Sequence, residues 1–98
     1  MTLNVPKEIN IAGLTITIEM TDDLPSGCIG KADYQKQKIY INPNFASQCL
    51  TEQTFYHELV HWILFVMGEE DLKSNEQFVD LMAHFIYQSI GKNALYSS

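Results

Sequence analysis

The sequence predicts an α+β domain in which a small antiparallel sheet is followed by two main helices. Three observations carry that prediction. Apolar residues alternate at period two from Ile9 to Ile18 and again at Ile39 and Ile41, the pattern of strands with one buried face. From Phe55 onward the apolar spacing turns helical, in two stretches divided by the polar run Glu69-Glu70-Asp71. The 98 residues suffice for one core and leave no room for a second lobe, so residues 1–98 are expected to form one domain.

The alternation between Lys7 and Met20 is interrupted at Ala12-Gly13, which predicts two short strands, or one bent strand, turning at Gly13. Thr21 to Gly27 is dense in turn formers and predicts a loop. A strand is expected within Cys28 to Tyr34 and another over Lys38 to Asn42, joined by a hairpin at Gln35-Lys36-Gln37. Pro43 ends the second because it has no backbone N–H to offer a neighbour. Thr51 is the expected cap of the first long helix, with Glu52 near its positive end and Leu50 and Phe55 placed as a staple. That helix runs through Met67 to Gly68, and being apolar nearly all round it belongs in the middle of the structure.

Glu69 to Lys73 is expected to be a solvated connection. Ser74, with Gln77 three residues on, predicts the cap of a second helix running to about Ile90, with a frayed tail after Lys92. Its expected core face is Phe78, Leu81, Met82, Phe85 and Ile86, while Glu76, Asp80, Ala83 and Tyr87 form a separate stripe.

Composition narrows the function. A hydrophobic share of 46% excludes a disordered chain, and a formal charge of -6 repels phosphate backbones, so nucleic acid is not an expected partner. No apolar run approaches the ~20 residues of a membrane span, and no basic-then-apolar leader is present, so the expectation is a cytoplasmic protein with no membrane partner. Cys28 and Cys49 are neither close together nor near a histidine, which predicts free buried thiols rather than zinc ligands or a disulfide.

The chemistry concentrates in His57-Glu58-Leu59-Val60-His61. Four residues along a helix bring two side chains to within about 40° of each other around the axis, so both imidazoles can reach one metal ion. Glu58 lies about 100° round from His57, near the metal without pointing at it, where a general base for a metal-activated water is needed. A catalytic zinc takes a third protein ligand and keeps one position open. The metzincin solution is excluded, because Leu64 and Met67 stand where it requires glycine and histidine. The candidates are Glu76, Asp80, His84 and the loop carboxylates. Glu76 is the strongest, since an antiparallel second helix brings its first turn beside His57 and His61. Asp80, one turn on, can then accept a hydrogen bond from the far nitrogen of a liganding histidine, and His84 is the alternate ligand.

His57-Glu58-x-x-His61 followed by Asn75-Glu76-x-x-x-Asp80 resembles the gluzincin arrangement of thermolysin-like zinc metallopeptidases. The small size, the leading hairpins and the run Phe55-Tyr56-His57-Glu58-Leu59-Val60-His61 are more similar still to the minimal zinc peptidases of phages and mobile elements, of the ImmA/IrrE type. The resemblance spans about Ile9 to Tyr87, and its specific part is the two helical motifs. It implies a zincin-like fold, one Zn2+ per chain held by His57, His61 and Glu76, Glu58 as the base, and Asp80 orienting a histidine. Larger members add a lobe that supplies a histidine or tyrosine to the oxyanion; here Tyr34 and Tyr87 are the residues to consider.

The expected function is zinc-dependent peptide-bond hydrolysis on a peptide or protein substrate, with a phage or host regulatory protein as a possible partner. The competing reading is a non-catalytic, zinc-stabilised regulatory or protein-binding module. The strand from Lys38 to Asn42 is expected at the sheet edge beside the metal cleft, with Tyr40 and Ile41 lining a groove, because extended peptides bind by adding a strand.

Overall fold

Ala12 and Gly13 both take positive φ, 50° and 85°, so that Ile11 and Leu14 pair directly across a two-residue turn whose twist suits the flanking strands. The turn joins β1 (Glu8–Ile11) to β2 (Leu14–Met20). A second hairpin joins β3 (Gly30–Asp33) to β4 (Lys38–Ile41). The computed structural model describes residues 5–45 and 48–91, in which the strands are followed by α1 (Gln48–Met67), α2 (Glu70–Lys73), α3 (Glu76–Ile86) and a π-helical turn (Tyr87–Gly91). The architecture is α+β, as the alternation and helical periodicity predict. The tail after Lys92 lies outside the described residues.

The strand order is β1-β2-β4-β3, and the sheet is mixed rather than antiparallel, since β2 and β4 run parallel. β4 is paired on both sides, which overturns its expected edge position. Side-chain character explains the order. Ile39 and Ile41 are fully buried against the helices, so β4 gains most from a central place, whereas Gly30-Lys31-Ala32-Asp33 carries the charge that suits an exposed edge. Tyr40 alternates with these isoleucines and points to the opposite face, where Lys38 Nζ lies 5.8 Å from its ring centroid. Tyr40 and Ile41 therefore do not line a shared groove beside the metal cleft, and the edge strand next to α1, paired on one side only, is β3.

Ile16, Ile18, Ile39 and Ile41 form the sheet's buried face, and Phe55 and Trp62 of α1 complete this core. Trp62 is fully buried, and its indole Nε1 donates to the Lys38 carbonyl at 3.1 Å, tying α1 to β4. On the other side of α1, Val60 and Leu64 pack against Val79 and Ala83 of α3. α1 is thus covered on both sides, in keeping with its nearly uniform apolarity.

The helix ends depart from the sequence expectations in instructive ways. α1 begins before Thr51, and Thr51 and Glu52 are buried within it; Glu52 Oε1 accepts from the Tyr87 hydroxyl at 3.1 Å. At its other end Gly68 takes φ 77°, with Gly68 N–H donating to Phe65 and Glu69 N–H to Leu64, the paired bonds of a Schellman cap. Glu70–Lys73 is helical rather than a loop, and Ser74 closes it. The α3 cap consequently moves to Asn75, whose side chain accepts from Phe78 N–H at 3.1 Å. α3 is also rotated from the expected facing. Val79 and Ala83 are buried, while Leu81, Met82 and Phe85 are 41–54% exposed. The small Ala83 admits close packing on α1, and the same rotation turns the Glu76 and Asp80 stripe toward the histidines.

Candidate metal centre

His57 and His61 stand on one face of α1, ring centroids 5.0 Å apart, and Glu76 in the first turn of α3 reaches both. Its Oε1 lies 3.0 Å from His61 Nε2 and its Oε2 3.4 Å from His57 Nε2. Ligand atoms of the three residues all fall within 4.8 Å of one another. Donors on a tetrahedral zinc at about 2.0–2.1 Å stand roughly 3.3 Å apart, which is the spacing the carboxylate already keeps to each ring.

The far side of the His57 ring strengthens the case. Asp80 Oδ1 lies 2.7 Å from His57 Nδ1, as expected from its place one turn beyond Glu76. The His61 ring turns its Nε2 to Glu76. A proton held at His57 Nδ1 by Asp80 leaves the His57 Nε2 lone pair facing the Glu76 carboxylate. That arrangement is repulsive unless a cation sits between them. Burial disfavours filling the gap by protonation at His61, pushing its pKa down against the opposing pull of Glu76. The donor set of two imidazoles and one carboxylate therefore fits a zinc ion.

Glu58 is turned inward from this cluster and is 7% exposed. Burial lifts its carboxyl to about 7, with nearby His57 pulling it down and Glu76 pushing it up. β3 lies directly against it. A Cβ on Gly30 would stand 2.5 Å from Thr54 Cγ2 and 3.1 Å from Glu58 Oε2, so only glycine permits this approach of edge strand to α1. Nothing in the spacing of the sequence marked Gly30 for this role. A cleft of about 920 Å3 opens here, walled by Cys28 and Gly30 on one side, Leu50 and Thr54 of α1, and Leu81 and His84 of α3, with His57 and Glu58 at its base.

His84 is thus placed in the cleft wall, outside the group of converging ligand atoms. Of the two tyrosines considered for the oxyanion, Tyr87 is buried and committed to Glu52. Tyr34 is held protonated, its phenol pushed up to about 12 by burial and then by the negative charges of Glu58, Glu70 and Glu76. Comparison of the chain with protein-family models, with curated proteins and with solved structures finds no match. Among the described residues no helix is long and apolar enough to cross a membrane.

Proposed function

We propose that this chain is a zinc-dependent metallopeptidase. The observation that supports it most is the convergence of His57 Nε2, His61 Nε2 and the Glu76 carboxylate beside a buried glutamate that is not one of the three. Zinc held there would supply Lewis acidity, polarising a scissile carbonyl and making water acidic enough to attack near neutral pH. Glu58, poised near neutrality, takes the proton from the attacking water and returns it to the leaving amine. Asp80 holds the His57 ring in register. An extended peptide pairs with the free edge of β3, and one of its side chains enters the cleft between Leu50 and Leu81.

The free thiol of Cys28 suits a reducing compartment, and we place the activity in the cytoplasm, acting on a peptide or on a phage or host regulatory protein. A non-catalytic zinc-stabilised module is the second reading, favoured by the exposed Leu81, Met82 and Phe85, which offer a docking face beside the site.

Ligation is tested by substitution and zinc competition. Glu76→Ala should lower zinc affinity and the melting temperature of the zinc-loaded protein together, and His84→Ala should leave affinity nearly intact. Asp80→Ala should fall between them, with a loss on the order of 10- to 100-fold. A large loss with His84→Ala and none with Glu76→Ala would reassign the third ligand.

A further inference from the structure

The register of the sheet decides which main-chain groups of β3 face its open side. Asn42 N–H donates to the Ile29 carbonyl at 2.8 Å, one step beyond the Gly30–Ile41 pair. In an antiparallel ladder, hydrogen-bonded pairs alternate with pairs whose N–H and C=O groups point outward. Lys31–Tyr40 and Asp33–Lys38 are therefore bonded pairs, and the N–H and C=O groups of Gly30 and Ala32 point away from β4. Two further contacts agree. The Ile41 carbonyl, opposite Gly30, accepts from Thr21 N–H at 2.9 Å on the β2 side, and the Gly30 carbonyl accepts from the Cys28 thiol at 3.0 Å.

This outward-facing run is closed at both ends. Before it, Cys28 N–H is used within the chain's own turn, donating to the Pro25 carbonyl at 2.9 Å where Gly27 takes φ 82°. After it, Asp33 Oδ1 accepts from Lys36 N–H at 3.0 Å as the chain turns toward β4. A strand rises about 3.3 Å per residue, so Gly30 and Ala32 together match a peptide stretch of about three residues. β3 is last in the strand order, and Gly30 borders the cleft that has His57 and Glu58 at its base. Gly30 and Ala32 share the helix-facing side with their partners Ile41 and Ile39, and having at most a methyl group there they leave the cleft clear for a substrate side chain. Lys31 and Asp33 alternate onto the other side, where their charges discourage extended edge-to-edge pairing.

We propose that the main-chain groups of Gly30 and Ala32 are the ones that hold the substrate, which restricts the site to about three extended residues of an irregular or unfolded segment and excludes a long β-strand. Resting on the peptidase reading, this assignment adds the form of the substrate to it. The Cys28 thiol is a weak donor, so a peptide N–H can replace it on the Gly30 carbonyl at little cost.

Proline reads the direction of an amide, because an edge strand tolerates it only where the N–H faces outward. Ala32→Pro should fold with a melting temperature within about 5 °C of the wild type, whereas Lys31→Pro, which removes a bond to Tyr40, should lower it by about 10 °C or more. On a pooled library of end-capped five- and ten-residue peptides, Ala32→Pro should retain zinc but lose about 10-fold in kcat/KM, the worth of one main-chain bond and the space for its partner. Five-residue members should be cleaved within about threefold of the longer ones, a difference smaller than one hydrogen bond. Hydrogen exchange in the wild type needs no turnover. Ala32 N–H should exchange faster than Lys31 and Asp33 N–H in the free protein and slow when the library is added. Should Ala32→Pro not fold, this contrast decides in its place. A folded Ala32→Pro with unchanged kcat/KM, an Ala32 N–H as protected as that of Lys31 in free protein, or a strong preference for the ten-residue members would overturn the proposal. So would an Ala32 N–H that the library leaves unprotected, or one that becomes protected as protein concentration alone rises, which would give the edge to a second copy. Wild type that cleaves nothing while the library protects Ala32 would refute the peptidase reading and leave this edge assignment standing for a peptide-binding module.

Discussion

Glu58→Gln should retain one zinc per chain and the wild-type fold while losing most peptide hydrolysis, by about 10²- to 10⁴-fold, the usual contribution of a general base. Glutamine matches glutamate in size and polarity but cannot accept the proton, and Glu58 is not one of the converging ligand residues. The assay needs a broad peptide panel together with candidate phage and host proteins, because narrow specificity would hide the wild-type activity. Wild type that cleaves nothing the Gln variant spares would favour the zinc-stabilised binding module. The substitution carries a second signature in metal-free protein. Burial raises the Glu58 carboxyl from 4.5 to about 7, so the folded state holds a proton that the unfolded state releases between those values. As pH rises through this window the wild type loses stability, since folding must then bury the ionised form. Glutamine has no proton to lose. With chelator present, Glu58→Gln should therefore melt above wild type at pH 8, and that excess should disappear as pH falls to about 4.5. An excess independent of pH would show that Glu58 is not the titrating group.

Trp62→Ala should cost about 3–5 kcal/mol, the range for emptying a large aromatic site in a core. Trp62 is fully buried, and its indole also serves the Lys38 carbonyl, which the substitution would leave without that donor. Against a total stability of about 5–15 kcal/mol for a domain, this loss is a large fraction, and at the low end of that range it brings the fold near its midpoint at room temperature. Because Trp62 is the single tryptophan, wild-type unfolding can be followed by its fluorescence, but the variant must be compared by far-ultraviolet circular dichroism in urea. Trp62 also follows His61 directly, so zinc binding should weaken with the fold. A change below about 1 kcal/mol would mean that the contact of α1 with β4 is not central to the core.

The parts of this structure legible in the sequence are those that depend on local periodicity. The convergence of His57 and His61 follows from four-residue spacing on one helix, and the approach of Glu76 and Asp80 follows once the next helix returns antiparallel. The Ala12-Gly13 turn and the Gly68 cap were legible because positive φ leaves a residue signature. Strand order was not legible. Whether Lys38–Ile41 sits at the edge or the centre depends on competition between strands for the helix-facing side, and no spacing within the strand records that. Of the expected core face of α3, Phe78 and Ile86 do pack against α1, but Leu81, Met82 and Phe85 are exposed although they belong to the more apolar stripe, because packing selected Val79 and Ala83, whose small volumes bring the carboxylates to α1. α2 was missed because a four-residue helix with Leu72 as its one apolar residue has no period to detect.

X-ray absorption at the zinc edge, on protein loaded with one equivalent of zinc and dialysed, tests the metal centre most directly. The structure leads us to expect one retained zinc per chain in a shell of nitrogen and oxygen at about 2.0–2.2 Å, with the multiple scattering of two imidazoles and no sulfur. In Glu76→Ala the imidazole signal should persist while occupancy falls. Failure of the wild type to retain zinc, a sulfur shell at about 2.3 Å, or a spectrum with one imidazole or three would contradict a site built from His57, His61 and Glu76.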